Sequence, residues 1–141
     1  MRRSPKVQYE VCKLHRLVFL HAAQEYFIVL KSVETESVFL MQTGYVEACS
    51  VYGAMYRRPH PNPLTYQLFQ NLVHALDASI VEVVFDGYNK DIQGYESHLV
   101  VSKRGSTVNV KCRGSDAVGI AFLARIPIRV NTAFLGGVAR D

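Results

Sequence analysis

The sequence predicts an α+β fold, with a mixed or antiparallel sheet and about three helices. Segments in which apolar and polar residues alternate are interspersed with segments whose apolar residues recur every three or four positions. Their order is strands, helix, helix, strands, helix, strand, which is typical of α+β proteins and hints at an internal duplication. With 141 residues, the chain is expected to form a single domain over 1–141, with 1–5 and 136–141 frayed.

The first third of the chain predicts a three-stranded meander. From Lys6 to Leu14, apolar residues such as Val7, Tyr9 and Val11 alternate with polar ones, so one face of this first strand is expected to be covered. Residues 26–31 and 37–42 are rich in aromatic and β-branched side chains, which favour strands. Short polar connections separate the three segments, as a meander requires.

A first helix is predicted over residues 45–57, where the apolar spacing changes to three or four after Gly44. It must end before the run Pro59-His-Pro-Asn-Pro, because each proline disfavours helix for the residue before it. The same run leads into a second helix.

The second helix is predicted from about Asn62 to Asp77. Asn62 with Pro63 at the first helical position is one possible start, and Thr65 is a competing cap. The helix carries a strong apolar stripe, formed by Leu64, Leu68, Phe69, Leu72, Val73 and Leu76.

The second half of the chain repeats the pattern of strands followed by a helix. Residues 78–87 read as a buried strand that gives way, from Asp86, to a turn-rich loop over 86–94. Residues 97–102 and 107–112 are two more strands, and Lys103-Arg-Gly-Ser is the turn that joins them in a hairpin. A third helix is predicted from Gly114 to about Arg125, with Ser115 as its cap. Residues 127–130 are expected to form a short final strand.

Composition limits the classes of function. The net charge of +4 and the pI near 9.1 mildly favour anionic partners, although solvated basic surfaces are common. Three cysteines without Cys-x-x-Cys spacing argue against a disulfide framework and a structural zinc site, and favour buried free thiols. The sequence shows neither a signal-peptide pattern nor a membrane span, so we expect a cytoplasmic protein with no membrane partner.

Two carboxylates are the best candidates for chemistry. Glu47 and Asp116 each lie early in a predicted helix, where stabilisation of the helix end is the simpler interpretation. If the fold brings them together, they could hold Mg²⁺ or Mn²⁺ for phosphodiester hydrolysis, or act as bases. Arg113 could then offset charge that develops on a phosphate.

Basic residues suggest a nucleic-acid backbone as a partner. They include Arg57, Arg58, Lys103, Arg104, Lys111 and Arg113, with Tyr56 and Tyr66 nearby in the sequence. Hairpin lysines and arginines that simply face water explain the same pattern equally well.

At these residues the chain resembles the bifunctional nuclease domain family over nearly its whole length, from about Val7 to Leu135. The resemblance rests on four ordered blocks, namely Gly44-Tyr-Val-Glu-Ala, Asn62-Pro-Leu-Thr-Tyr-Gln-Leu, Arg113-Gly-Ser-Asp-Ala-Val-Gly-Ile-Ala and Ile126-Pro-Ile. It implies an α+β homodimer with nuclease activity on DNA and RNA. Together with the residue patterns above, it predicts catalytic roles for Glu47, Arg113 and Asp116, and substrate contacts for Arg58, Thr65 and Ser115.

The chain also departs from the family pattern. Asn62 stands where relatives have arginine, Tyr66-Gln67 replaces a His-Asp pair, and Gly114 replaces a proline. Tyrosine is a poor base near neutral pH, because its ordinary pKa is about 10. A non-catalytic dimer that binds nucleic acid or protein is therefore the alternative prediction.

Overall fold

The structure, a computed structural model, describes residues 6–56 and 62–137. This part of the chain contains one sheet of seven strands and three α-helices, and it confirms the predicted α+β class. The strands are β1 (Tyr9–Leu20), β2 (Glu25–Ser32), β3 (Val38–Thr43), β4 (Ser79–Asn89), β5 (Gly94–Lys103), β6 (Ser106–Cys112) and β7 (Ile128–Asn131). The helices are α1 (Tyr45–Met55), α2 (Thr65–Ala75) and α3 (Gly114–Ala124), and short 3-10 turns occupy His21–Ala23 and Thr132–Phe134.

The sheet consists of two meanders on either side of a central strand. Its order is β3-β2-β1-β7-β4-β5-β6, so each half of the chain contributes three consecutive antiparallel strands followed by a helix. The last strand, β7, lies between them, antiparallel to β1 and parallel to β4. The predicted mixed sheet is confirmed, and the strand order agrees with the hint of duplication.

Two strands extend beyond their predicted ends. The strand β1 continues past Leu14 to Leu20, and β4 runs through Asp86 to Asn89, where a loop was predicted. Shifts of register between Leu14 and Arg16, and between Phe85 and Gly87, carry the pairing across these positions. A β-bulge of this kind lets turn-forming residues such as Asp-Gly remain inside a strand.

The hairpin between β5 and β6 is confirmed. Arg104 and Gly105 form its two-residue turn, and both have positive φ, at 50° and 79°. This is the backbone that a tight hairpin turn between right-twisted strands requires.

The core lies between the sheet and α3. Six of the eleven residues of α3 are buried, and four of them belong to one core cluster with the largest buried side chains of the sheet, which include Phe39, Phe85 and Leu30. Gly114 permits this approach, since a Cβ there would collide with Met41 and meet Phe85 at 3.0 Å. Glycine at this position therefore leaves the space that the Met41 side chain occupies.

The second helix packs much less closely. None of the eleven residues of α2 is buried, and its inner face meets the core through the partly buried Tyr66, Phe69 and Val73. The leucines of the predicted stripe, Leu64, Leu68, Leu72 and Leu76, are 55–58% exposed. Their four-residue spacing places them on a face beside the one that contacts the core.

The predicted starts of α1 at Tyr45 and of α3 at Gly114 are confirmed, and the other boundaries within the described residues differ from prediction by one to three residues. The N-cap of α2 is Leu64 and that of α3 is Arg113, so neither Asn62, Thr65 nor Ser115 holds the cap position that was predicted for it. The predicted end of the first helix at Arg57 lies outside the described residues, as do 1–5 and 138–141. Gly136 forms a bridge with Val38 at the edge of the sheet.

All three cysteines are free thiols. Cys12 is buried as expected, and burial together with the neighbouring Glu10 raises its pKa to about 12. Cys49 is exposed on α1, so the expectation of burial was wrong for this residue, and Cys112 is only half-buried.

Within the described part of the chain, no helix is both long and apolar enough to cross a membrane.

Candidate functional site

The candidate site begins with two helix starts that are built alike. Gly44 is the N-cap of α1 and Arg113 is that of α3, and both have extended backbones. An acidic residue follows at the third helical position in each case, Glu47 in α1 and Asp116 in α3. A carboxylate at this position is stabilised by the unpaired N–H groups and by the positive end of the helix dipole.

The fold brings the two helix starts together at Arg113. Its Nε donates to Asp116 Oδ2 at 2.8 Å and its Nη2 to Asp116 Oδ1 at 3.2 Å, which is a two-point pairing. Its Nη1 donates to Glu47 Oε1 at 3.3 Å, across 66 positions of sequence. The three residues that were predicted to be catalytic therefore form one cluster.

The pairing holds the guanidinium without burying it. The hydrogen bonds and charge of Asp116, and more weakly the charge of Glu47, raise the pKa of Arg113. The Arg113 side chain is nevertheless 65% exposed, against 30% for Glu47 and 35% for Asp116. Exposed ion pairs contribute about 0–1 kcal/mol. The guanidinium is thus oriented by its partners yet can exchange one of them at small cost.

Tyr66 lies beneath this cluster. Its ring packs on α3 at Gly119, where a Cβ would collide with the ring. Its hydroxyl is buried and has no hydrogen-bond partner of regular geometry among the described residues. Burial, followed by the charge of nearby Asp116, raises its pKa to about 12, so the hydroxyl remains protonated at neutral pH. It can donate a hydrogen bond but cannot act there as a base.

Two clefts meet at Arg113. The first, of about 780 Å³, lies between the β3–α1 connection and β5, β6 and the start of α3, and Glu47 and Ser115 line it. The second, also about 780 Å³, lies between α1 and the start of α2, and Thr65 and Asp116 line it. Arg113 lines both clefts, so its guanidinium is reached from either side.

The three residues that were predicted to bind substrate occupy different environments. Thr65 is exposed in the second cleft. Ser115 is in the wall of the first cleft but is 5% exposed, which leaves little of its hydroxyl for a ligand. Arg58 lies outside the described residues.

Glu47 and Asp116 are the residues that would hold a divalent metal. Among residues 6–56 and 62–137, no group of three or more His, Cys, Asp or Glu side chains could hold a metal ion. Mg²⁺ often needs only one or two protein carboxylates, with water and substrate oxygens as its other ligands. The pair fits such an ion in its chemistry, provided that the Arg113 guanidinium moves from between the carboxylates.

Two features of the site were missed by sequence reasoning. Gly44 leaves room for the Glu47 carboxylate, which folds back over the helix start and would have to shift if a Cβ were present. Gly119 is needed for contact with Tyr66. The signal for Gly44 was its place directly before a helix with an acid at the third position, as in a capping box. Gly119 gives no such signal, because its partner lies on another helix.

Comparison with known proteins agrees with the resemblance seen in the sequence. The family model described as the bifunctional nuclease domain matches residues 28–139, which include Glu47, Arg113 and Asp116. A search of curated proteins gives no match.

Proposed function

The chain belongs to the bifunctional nuclease domain family, and from that premise we propose that it hydrolyses phosphodiester bonds of DNA or RNA at the Glu47–Arg113–Asp116 cluster. The observation that carries this proposal is the unequal pairing of Arg113. Its two bonds to Asp116 include one of 2.8 Å, whereas its single bond to Glu47 is 3.3 Å long. A phosphate that enters either cleft can replace Glu47 while Asp116 keeps the guanidinium in place.

This exchange assigns a role to each residue. Arg113 Nη1 moves to a phosphate oxygen and offsets the charge that develops on it. Glu47, now unpaired, accepts a proton from the water that attacks phosphorus. The bond from phosphorus to the leaving sugar oxygen breaks, and that oxygen takes a proton from solvent. Asp116 acts by positioning Arg113.

A metal-bound site is a second version of this mechanism. In that version the whole Arg113 guanidinium would leave both carboxylates for the phosphate, and Glu47 and Asp116 would hold Mg²⁺ or Mn²⁺. Such an ion, when bound, supplies Lewis-acid stabilisation of the phosphoryl oxygens.

Cleavage of fluorescent single-stranded and duplex substrates tests the proposal. Glu47→Gln and Arg113→Ala are each expected to lower kcat by roughly 100-fold or more, because each removes a group that acts in the transition state. Asp116→Asn is expected to lower activity less than Arg113→Ala, because the Asp116 carboxylate acts only by positioning Arg113. The matched control is Glu82→Gln. It breaks another Glu–Arg pair, in which Glu82 Oε2 lies 2.7 Å from Arg129 Nε, and neither residue lines either cleft.

Chelation and pH separate the versions of the mechanism. Loss of activity in EDTA, restored by Mg²⁺ or Mn²⁺, supports the metal-bound site, and full activity in EDTA rejects it.

Because the pKa of Tyr66 is raised to about 12, Tyr66 should add no limb to the pH–rate profile below pH 10. Equal rates for the control and for Glu47→Gln and Arg113→Ala would reject the nuclease site. Salt-sensitive binding without cleavage would instead identify a binding module.

We also propose that the protein is a cytoplasmic homodimer. The free thiols fit a reducing compartment. The exposed leucines of α2, which we call the leucine face (Leu64, Leu68, Leu72 and Leu76), supply a self-complementary surface for a second copy.

A further inference from the structure

A second surface feature is made of aromatic rings. Six rings form a connected set of contacts, in which each ring touches at least one other. They come from β1, the turn that follows it, β2, α1 and the residue after α1. We call them the aromatic patch, formed by Phe19, His21, Tyr26, Tyr45, Tyr52 and Tyr56.

The contacts within the patch are continuous. Tyr45 lies 5.2 Å from Tyr26 between ring centroids, and Tyr26 lies 5.9 Å from Phe19. Phe19 lies 6.2 Å from Tyr52, which in turn lies 4.5 Å from Tyr56. The rings therefore form one connected surface rather than separate pairs.

The patch is open to solvent along α1. Tyr45, Tyr52 and Tyr56 are 51%, 50% and 59% exposed. They stand seven and eleven positions apart, so they share one face of the helix and span about 16 Å at a rise of about 1.5 Å per residue. Several unpaired nucleotides fit along that length, because stacked bases repeat about every 3.4 Å.

A second aromatic group in the molecule shows what a structural cluster looks like. Phe39 contacts Phe85, Tyr95 and Phe134, but Phe39 and Phe85 are at most 1% exposed and belong to the core. In the aromatic patch, Phe19 and Tyr26 are half-buried and support tyrosines that are half exposed. The patch thus has a packed base and an accessible upper surface.

We propose that the aromatic patch stacks the unpaired bases of single-stranded DNA or RNA, and that it thereby selects single strands as the substrate. The choice of nucleic acid as the ligand rests on the proposed nuclease function. Aromatic rings bind bases of any sequence through their faces. Charge favours the same partner, since the chain carries +4 and Arg57-Arg58 directly follow Tyr56 in the sequence. The patch and the cluster share the first turn of α1, where Tyr45 and Glu47 lie two positions apart and therefore on different sides of the helix. A strand stacked on the patch would pass around the start of α1 to reach the cluster.

Equilibrium binding tests the proposal without cleavage. The Glu47→Gln protein is titrated with a labelled oligothymidylate and with an abasic strand of the same length, which keeps the phosphates and lacks the bases. Tyr52→Ala, added to this protein, is expected to weaken binding of oligothymidylate by roughly 5- to 50-fold. Binding of the abasic strand should stay within about twofold, since the phosphate contacts remain.

Two further variants control for folding and for general loss of surface. Tyr52→Phe keeps the ring and should bind oligothymidylate within about twofold of the parent. Tyr9→Ala removes a tyrosine that is 37% exposed and makes none of the ring contacts of the patch, and it should have no effect. The chain has no tryptophan, so quenching of tyrosine emission by the bound strand provides a second readout.

The outcomes distinguish this proposal from the nuclease function. Base-dependent binding that Tyr52→Ala weakens supports the patch even if the wild-type protein cleaves nothing. Equal binding of the two strands, or oligothymidylate binding that Tyr52→Ala leaves unchanged, overturns the patch even if cleavage depends on Glu47. Failure of every strand to bind also overturns it, and would leave a protein as the partner for these rings.

Discussion

The helices α2 and α3 have the same length and opposite relations to the core. Six residues of α3 are buried, whereas α2 has none, although both carry many apolar side chains. The difference lies in the size of the residues. The helix α3 contains Gly114 and Gly119, which let neighbouring groups reach its backbone, while α2 and its two cap residues present four leucines to solvent. In this protein, how deeply a helix is buried depends more on how closely neighbouring groups can approach its backbone than on how many apolar residues it carries.

The largest effect should come from matched truncations of the two helices. Ile120 of α3 is 6% exposed, and Leu72 of α2 is 55% exposed. Ile120→Ala is expected to lower the free energy of unfolding by about 2–5 kcal/mol, because it leaves a cavity. Leu72→Ala should lower it by less than about 0.5 kcal/mol. Urea unfolding at low protein concentration measures both, and similar losses would refute the contrast.

A smaller effect is expected where the two helices touch. Gly119→Ala would force the Tyr66 ring away from α3 and should cost about 1–3 kcal/mol. The control is Gly53→Ala in α1, whose Cβ would meet nothing within 4 Å in the described part of the chain. It should stabilise the protein by about 0.5–1 kcal/mol, as alanine is the better helix former.

A double variant shows whether Tyr66 is the cause. Tyr66→Ala should remove most of the cost of Gly119→Ala, so that the two changes together cost less than their sum. Additive losses in urea unfolding would mean that Gly119 matters for another reason.

The smallest effect on the fold should come from charges on the leucine face. Leu68→Glu with Leu72→Glu is expected to leave the unfolding of the monomer nearly unchanged, since both positions face solvent. If α2 pairs with a second copy, the same change should weaken dimerisation by roughly 100-fold, because like charges would be brought together. Sedimentation equilibrium measures this, with Ile92→Glu, a change at another exposed aliphatic residue, as the control. A wild-type monomer would contradict the proposed dimer.

The sequence predicted what depends on local pattern. The class of fold, the order of elements and the turn at Arg104-Gly105 follow from periodicity and turn chemistry, and the structure has all of them. The strand β4 was ended too early because Asp86-Gly87 is a turn signal. The pairing of β4 with β5 overrides that signal, and pairing between strands is a tertiary effect.

The site was predictable in its residues but not in its geometry. Glu47, Arg113 and Asp116 could be chosen because acids at helix starts are visible in sequence and because the family resemblance marks them. The contact between Arg113 and Glu47 joins positions 66 apart, and no local pattern reports such a distance. The aromatic patch was missed for the same reason, since its rings come from two stretches of the chain, the β1–β2 hairpin and α1 with the residue after it.

The bridge between Gly136 and Val38 has a practical consequence for handling the protein. Strand β3 lies at one edge of the sheet, and the N–H and C=O of Val38 are both bonded to Gly136, at 3.1 and 3.0 Å. A truncation before Gly136 would release these groups and lengthen the open edge, where strands of other molecules can add and start aggregation. Recombinant forms of the protein should therefore keep the chain through Gly137, with any tag placed beyond it.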